Sequence, residues 1–433
     1  MSGQVIQLTR PQQMRPEPQR LGMYIHVGFS QHKEVLALLA EGIRDFYGII
    51  VNASLVGSHK ELIAEAHKLG LDVILDAQTQ KSATIGGYTS SLGNLPWGLS
   101  RPHRVDDFGP VRSRVIARQI AEFAHAHGYT QILGPTHILQ GPNDPWLRRD
   151  IESMGFQRSV LDEQKSTTSL IYPLALPILV LRDRLQREAI IAALADAPCD
   201  ALWLKVENFG SDATGEKTTA YIEACSDFQR LGVPIVADQV GGVPGLGLLA
   251  FGATGGIAHG ITMLEGFKPA PWRRERKKKQ KGGMPIRVYV ERLDLLLKPS
   301  EAAAFFRTSS RMHSQFGCHN THCCPKGVSD MLQHPSRHFI YQRSRQIGEL
   351  SQAPEGIVRI QTYLDNEVRR VSDDVATVAN FSSLNSGLKK SLAKRQERLG
   401  RFRKAVGRLA EASPIVTPSL IPLSRQAREN RTR

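Results

Sequence analysis

Short β-branched runs alternate with amphipathic stretches from residue 21 to residue 268. The first run, Met23–Phe29, precedes HKEVLALLAEGI, whose apolar positions recur at helical spacing. The run Tyr47–Leu55 precedes HKELIAEAHKLG, where Gly70 stands at the C-cap position of a helix. Leu71–Thr79 reads as a third strand. Beyond it the strands QILGPTHIL, LIYPLALPILVL, ALWLKVENFG, VPIVADQVGG and GGIAHGITML alternate with helical segments. Near-continuous apolar strands between helices imply a parallel sheet covered on both faces. Eight such units over about 250 residues predict an α/β fold, a (β/α)8 TIM-type barrel. The alternative is an open doubly wound sheet, but no GxGxxG follows the first strand.

A Gly/Ser/Pro-rich stretch, residues 82–110, interrupts the rhythm. Loops of that length in a compact domain are usually lids or binding loops. After residue 268 the pattern changes. PAPWRRERKKKQKGG is a basic loop, PIRVYVERLDLLL reads as one strand or a strand and a helix, and Gly387–Ala412 reads as a basic amphipathic helix. The predicted organisation is a disordered arm (1–20), the barrel (21–268), a basic loop with a Cys/His segment (269–350), a basic helical region (351–412) and a disordered tail (413–433).

Charge separates these parts. Residues 269–433 hold 32 Lys/Arg and 14 Asp/Glu, net +18, so the remainder of the +15 chain is slightly acidic. This asymmetry predicts a polyanion partner, a nucleic acid, either DNA or tRNA. Arg273, Arg274, Arg276, Lys277, Lys278 and Lys279 are the candidate phosphate contacts. Other protein subunits are a further candidate class of partner. The N-terminus has no apolar signal-type stretch and no run approaches a membrane span of about 20 residues, so a cytoplasmic, membrane-free location is expected. The cysteine count of 5 fits no disulfide framework.

Barrel chemistry is supplied from strand C-termini. Two carboxylates stand there, Asp76 in VILDAQTQ and Asp238 in VADQVGG. A carboxylate pair can divide acid–base and nucleophilic work. Gln78, Gln80, His137, Asn208, Gly241, Gly242 and His259 are the candidate substrate-binding residues, the glycines because a ligand can approach their backbone closely. In GCHNTHCCPKGVSDMLQHPSRH, Cys318, Cys323, Cys324 and His338 are the preferred ligands of a structural Zn2+, with His322 able to replace one of the adjacent cysteines.

A strand ending LDAQTQ, glycine-rich late strands and a Cys-rich segment closed by the histidine of HFIYQRSRQIGEL together resemble the tRNA-guanine transglycosylase superfamily, including its DNA-modifying relatives. The resemblance implies a Cys3His zinc site behind the barrel. It also implies exchange of a guanine-class base through a covalent sugar–aspartate intermediate. Asp76 would then handle a proton or read the base. The last strand, GGIAHG, carries no Asp, so the nucleophile would be Asp238. Two other readings are a non-catalytic nucleic-acid-binding scaffold and a metal-dependent hydrolase or nuclease using His26, His137 and His259.

Overall fold

A computed structural model describes residues 20–43, 45–275, 286–412, 418–425 and 428–429. Its centre is a closed barrel of eight parallel strands in sequential order. The strands are β1 (Gly22–His26), β2 (Gly48–Asn52), β3 (Asp72–Asp76), β4 (Gln131–Leu133), β5 (Ser169–Pro177), β6 (Ala201–Glu207), β7 (Ile235–Asp238) and β8 (Gly256–Gly260). The predicted (β/α)8 barrel is therefore the observed fold. Strands are shorter than the apolar runs suggested. In QILGPTHIL the ladder stops at Leu133, because Gly134 and Pro135 follow and proline has no N–H for a ladder. In LIYPLALPILVL the strand ends at Pro177 and the rest winds into the helix Ile178–Arg182.

Side chains alternate between two cores. Tyr24, Ile50, Ile74, Leu133, Ile171, Trp203, Val236 and Ala258 fill the bore. The other parity packs outward beneath the helices, as with Met23, Ile25, Ile49 and Val51. The bore is thus plugged at mid-height, and the residues two positions further along each strand form the floor of the C-terminal mouth.

Behind the barrel, the segment read as one strand or strand–helix is a hairpin of β9 (Val288–Val290) and β10 (Leu295–Leu297). It turns at Asp294, which holds a left-handed φ of 44°. The helix Pro335–Gln352 packs against β9. The basic helix forms as expected, over Ser386–Ala412. Leu392, Leu399, Phe402, Val406 and Leu409 line its buried side, against Gly215–Phe228 and Arg370–Ala379.

Arg343 joins these parts. It is fully buried and donates to Glu265 Oε1 at 2.9 Å, Asp294 Oδ1 at 3.3 Å and Gln346 Oε1 at 2.9 Å. Its guanidinium lies 4.9 Å from the Tyr289 ring centre. Burial opposes its charge, but Tyr289, Glu265 and Asp294 outweigh that and raise its pKa.

The arm expected over residues 1–20 lies outside the described residues except for Arg20. Of the segment read as a tail, Pro418–Arg425 lies against the N-terminal end of the barrel. Ser419 N–H donates to Gly252 O at 2.7 Å, and a Cβ at Gly255 would stand 2.2 Å from Leu420 O. Arg428 pairs with the buried Asp72 at the base of β3. Among the described residues, no helix is long and apolar enough to cross a membrane.

Removing one member of a buried ion network strands its partners without charge compensation. Arg343→Met should therefore lower unfolding stability by about 3–5 kcal/mol in urea titrations. Arg343→Met combined with Glu265→Gln should recover part of that loss.

Candidate active site and candidate metal centre

The strand period that fills the bore also decides what faces the mouth. Two residues beyond Tyr24, Ile74, Trp203 and Val236 come His26, Asp76, Lys205 and Asp238. Lys205 and Asp238 are register partners on adjacent strands. Asp238 is 0% exposed. Its Oδ1 lies 2.6 Å from His26 Nε2 and its Oδ2 lies 3.0 Å from Lys205 Nζ. Lys205 Nζ also donates to Gln80 Oε1 at 3.3 Å. The Gln80 amide is itself fixed, with Nε2 donating to Pro173 O at 3.1 Å and Thr136 Oγ1 at 3.3 Å. His26, Asp238, Lys205 and Gln80 therefore form one chain of contacts across the floor.

Electrostatics set the charge states. Burial disfavours the Asp238 carboxylate, but Lys205 and His26 outweigh that and hold its pKa well below the usual carboxylate range. Burial likewise disfavours the Lys205 ammonium, and Asp238 followed by Asp76 outweighs it, so its pKa is raised. Lys205 is thus a buried cation between two carboxylates. Asp76 is half-buried, and its Oδ1 accepts from Gln78 N–H at 2.8 Å. Among the described residues its other oxygen has no hydrogen-bond partner.

The backbone around the mouth is strained. Non-glycine residues with left-handed φ are Gln78 (60°) after β3, Asn208 (61°) after β6, Gln239 (56°) after β7, and Thr262 (55°) and Leu264 (58°) after β8. Lys165 and Asp294 lie elsewhere. Such conformations persist only where the surroundings over-determine them, and they cluster at functional sites. The long loop, expected to be a lid or a binding loop, crosses the segment after β8: Gly86 N–H donates to Trp272 O at 2.7 Å. A Cβ at Gly86 would stand 2.0 Å from Arg274 O, so only glycine allows this crossing.

The other candidates separate. Gln80 belongs to the floor, whereas the Gln78 side chain accepts from Ser54 Oγ at 2.7 Å. Asn208 is exposed. His137 lies outside the bore, with Nδ1 2.7 Å from Asp150 Oδ1 and its ring stacked on Trp146 at 3.5 Å. His259 also points outward, edge-on to Phe339 of the helix behind. Strand alternation turns His259 outward, next to the bore residue Ala258, whereas His137 lies beyond the end of β4 and is held outside by Asp150 and Trp146. Gly241 and Gly242 make room for the chain's own carboxylates: a Cβ would stand 2.0 Å from Glu265 Oε1 at Gly241, and 2.9 Å from Asp294 Oδ2 at Gly242. Arg273 forms a two-pronged pair with Glu207 at the end of β6, one prong at 2.7 Å. Arg274 is placed beside Gly86, and Arg276, Lys277, Lys278 and Lys279 lie outside the described residues. Lys205 escaped the sequence reading. Its signal was a lone lysine two positions after Trp203 in an apolar strand.

Cys318, Cys323, Cys324 and His338 come together as expected. All four are buried, and their ligand atoms lie within 4.8 Å of one another. His338 Nδ1 is 3.4 Å from both Cys323 Sγ and Cys324 Sγ, and the two sulfurs are 3.5 Å apart. These distances fit the edges of a tetrahedron with metal bonds of about 2.0–2.3 Å. His338 Nε2 faces Tyr289 O at 3.1 Å, which presents Nδ1 to the sulfurs. His322 is exposed and does not replace a cysteine. Among the described residues, this is the one group of three or more such side chains able to hold a metal ion, and His26, His137 and His259 do not converge on one.

No family model matches the chain, and no curated protein matches it. Several solved structures are similar. A GH10 xylanase from Bispora sp. MEY-1 has 11% identity over 55% of this chain and 82% of that one, with a TM-score of 0.38. A 2,3-dimethylmalate lyase of the PEP mutase/isocitrate lyase superfamily has 12% identity over 55% and 75%, with a TM-score of 0.33. An HpcH/HpaI aldolase from Desulfitobacterium hafniense DCB-2 has 11% identity over 56% and 87%, with a TM-score of 0.32. These proteins are enzymes, and at such identities the likeness says nothing of this chain's reaction. The expected membership of the tRNA-guanine transglycosylase superfamily is corrected: these neighbours are a xylanase, a lyase and an aldolase, and no family model supports it. The geometry agrees. Asp238, assigned as the attacking nucleophile, is enclosed and holds its charge against Lys205 and His26.

Two buried imidazoles give a pH signature. Burial, then His137, pushes His103 down to about 4, and burial, then Arg343, pushes His259 down to about 3. Their folded values lie below the unfolded value, so the unfolded chain binds more protons between them. Stability from these two is fully present above about pH 6.5 and falls as pH drops toward 3. Replacing both with Gln should flatten the fall in denaturation midpoint between pH 6.5 and 4.

Proposed function

We propose that the chain is an acid–base enzyme acting on a small carbonyl compound at the C-terminal mouth of its barrel. The observation that carries this is the buried Lys205 ammonium, held between Asp238 and Asp76 on a floor that apolar side chains would fill at lower cost. Asp76, with a carboxylate oxygen left over, takes the proton from carbon next to the carbonyl. The electron pair moves onto the carbonyl oxygen, and Lys205 stabilises the charge that develops there. Asp238 fixes Lys205 and, with Asp76, keeps it protonated, while His26 holds the other oxygen of Asp238 and Gln80 sets the direction of Lys205. A Schiff-base route through Lys205 is disfavoured, because a protonated amine is no nucleophile.

Incubation with a panel of 2-oxo acids and ketones in D2O tests this by NMR. Asp76→Asn should reduce deuterium incorporation by about 10²–10⁴-fold. Lys205→Met should reduce it by about 10²–10³-fold. Equal exchange by wild type and Asp76→Asn would sink the proposal. Covalent trapping of substrate on Lys205 by borohydride would overturn its assigned role.

The Cys/His centre takes, in this proposal, a structural zinc ion. Three thiolates and one imidazole form a closed, nitrogen–sulfur set of the kind zinc prefers, leaving no open position for substrate. Bound there, the ion would cross-link the Cys318–Cys324 loop to the helix Pro335–Gln352.

A nucleic acid remains the proposed partner, and we propose that it binds along the helix Ser386–Ala412. At 27 residues it is about 40 Å long. Lys389, Lys390, Lys394, Arg401, Lys404 and Arg408 are exposed along it. Such contacts depend on salt and carry no sequence preference. Lys390→Glu with Lys394→Glu and Lys404→Glu should weaken fluorescence-anisotropy binding of labelled duplex DNA and of tRNA. The same variant should show a shallower salt slope.

A further inference from the structure

We infer that Cys318 is a modification site, the point at which a hydroperoxide reaches the Cys/His centre and oxidises it to a disulfide with loss of the ion. The inference rests on the metal-centre reading above.

Access singles out this residue. A cavity of about 270 Å³ opens beside the centre, and Cys318 and His338 stand in its wall. Cys323 and Cys324 are not in that wall. Cys318 is 9% exposed, against 1% and 3% for the other two. Reactivity of a thiolate requires access as well as charge, so of the three cysteines Cys318 is the one a small oxidant can approach from the cavity.

The cavity wall is also arranged around that sulfur. Arg345 Nε donates to Gln342 Oε1 at 3.1 Å. The carbonyl end of the amide is thereby occupied, and Gln342 Nε2 donates to Cys318 Sγ at 3.4 Å. This bond supports a thiolate at the cavity wall. The partner thiols are already in place, since all the ligand atoms lie within 4.8 Å of one another.

The chemistry balances with one hydroperoxide. The Cys318 thiolate attacks a peroxide oxygen, the O–O bond breaks, and the departing hydroxide takes a proton to become water. Cys318 is then a sulfenic acid. The thiolate of Cys323 or Cys324 attacks its sulfur, forms the S–S bond and expels a second hydroxide, which is protonated to water. Two thiolates lose two electrons and the peroxide gains them. One thiolate and one imidazole remain, half of the four ligands a structural zinc site uses.

The test uses the full chain purified with zinc. Metal content is measured first, because a chain without bound metal refutes the centre itself. The zinc-loaded protein is then treated with hydrogen peroxide. Ion release is followed with a chromogenic chelator, and disulfides are located by peptide mass spectrometry. The expected result is release in step with a disulfide joining Cys318 to Cys323 or Cys324. Ser314→Trp changes an exposed residue of the cavity wall and leaves every ligand intact. It should slow release several-fold. Three results would overturn the inference: retention of zinc under a large excess of peroxide, a Cys323–Cys324 disulfide with Cys318 untouched, or release from Ser314→Trp as fast as from wild type.

Discussion

A buried guanidinium must be surrounded by acceptors, and Arg343 meets that demand by drawing together segments far apart in the chain. Glu265 comes from the loop after β8, Asp294 from the turn of the β9–β10 hairpin, and Gln346 from the next turn of its own helix. Asp294 Oδ2 in turn accepts from Val243 N–H at 3.0 Å, at the start of the helix after β7. The loops after β7 and β8 both border the barrel mouth, so one cation behind the barrel holds two sides of the candidate active site. Glu265 leaves no room for a side chain at Gly241, and the glycine is there for that reason.

The same network reaches the Cys/His centre. Tyr289 donates its hydroxyl to Asp294 Oδ1 at 3.0 Å, while its carbonyl faces His338 Nε2. His338 and Arg343 share one helix, less than two turns apart. A metal ion bound by the cysteines would fix the register of that helix, and through Arg343 the position of the mouth loops. Metal loss by oxidation at Cys318 would therefore be felt at the barrel mouth without any contact between the two sites.

Much of the fold was legible because barrels write a strong signal. Apolar strands at regular intervals with amphipathic helices between them have few solutions other than a closed parallel sheet. The four metal-ligand candidates were legible from residue type and proximity in sequence. The candidate active site was only half legible. Asp76 and Asp238 end strands and stood out as carboxylates, but their environments differ: one is half-buried with an oxygen to spare, the other enclosed by Lys205 and His26. Lys205 was hidden, since a single lysine in ALWLKVENFG reads as a solvated position until strand parity turns it inward.

Sequence alone determined the barrel, the segregation of positive charge behind it and the short Cys/His segment that supplies the four clustered side chains. All three follow from local periodicity, composition or short spacing. Tertiary structure decided what each polar side chain faces. His259 on β8 lies outside the bore, because successive residues on a strand point to opposite faces, and His137, beyond the end of β4, is drawn outward onto Asp150 and Trp146. Arg273, counted as free positive charge, is paired with Glu207 from a strand 66 residues earlier. Charge and hydrogen-bonding capacity are properties of a residue, whereas the partner that consumes them is set by the packing of distant segments.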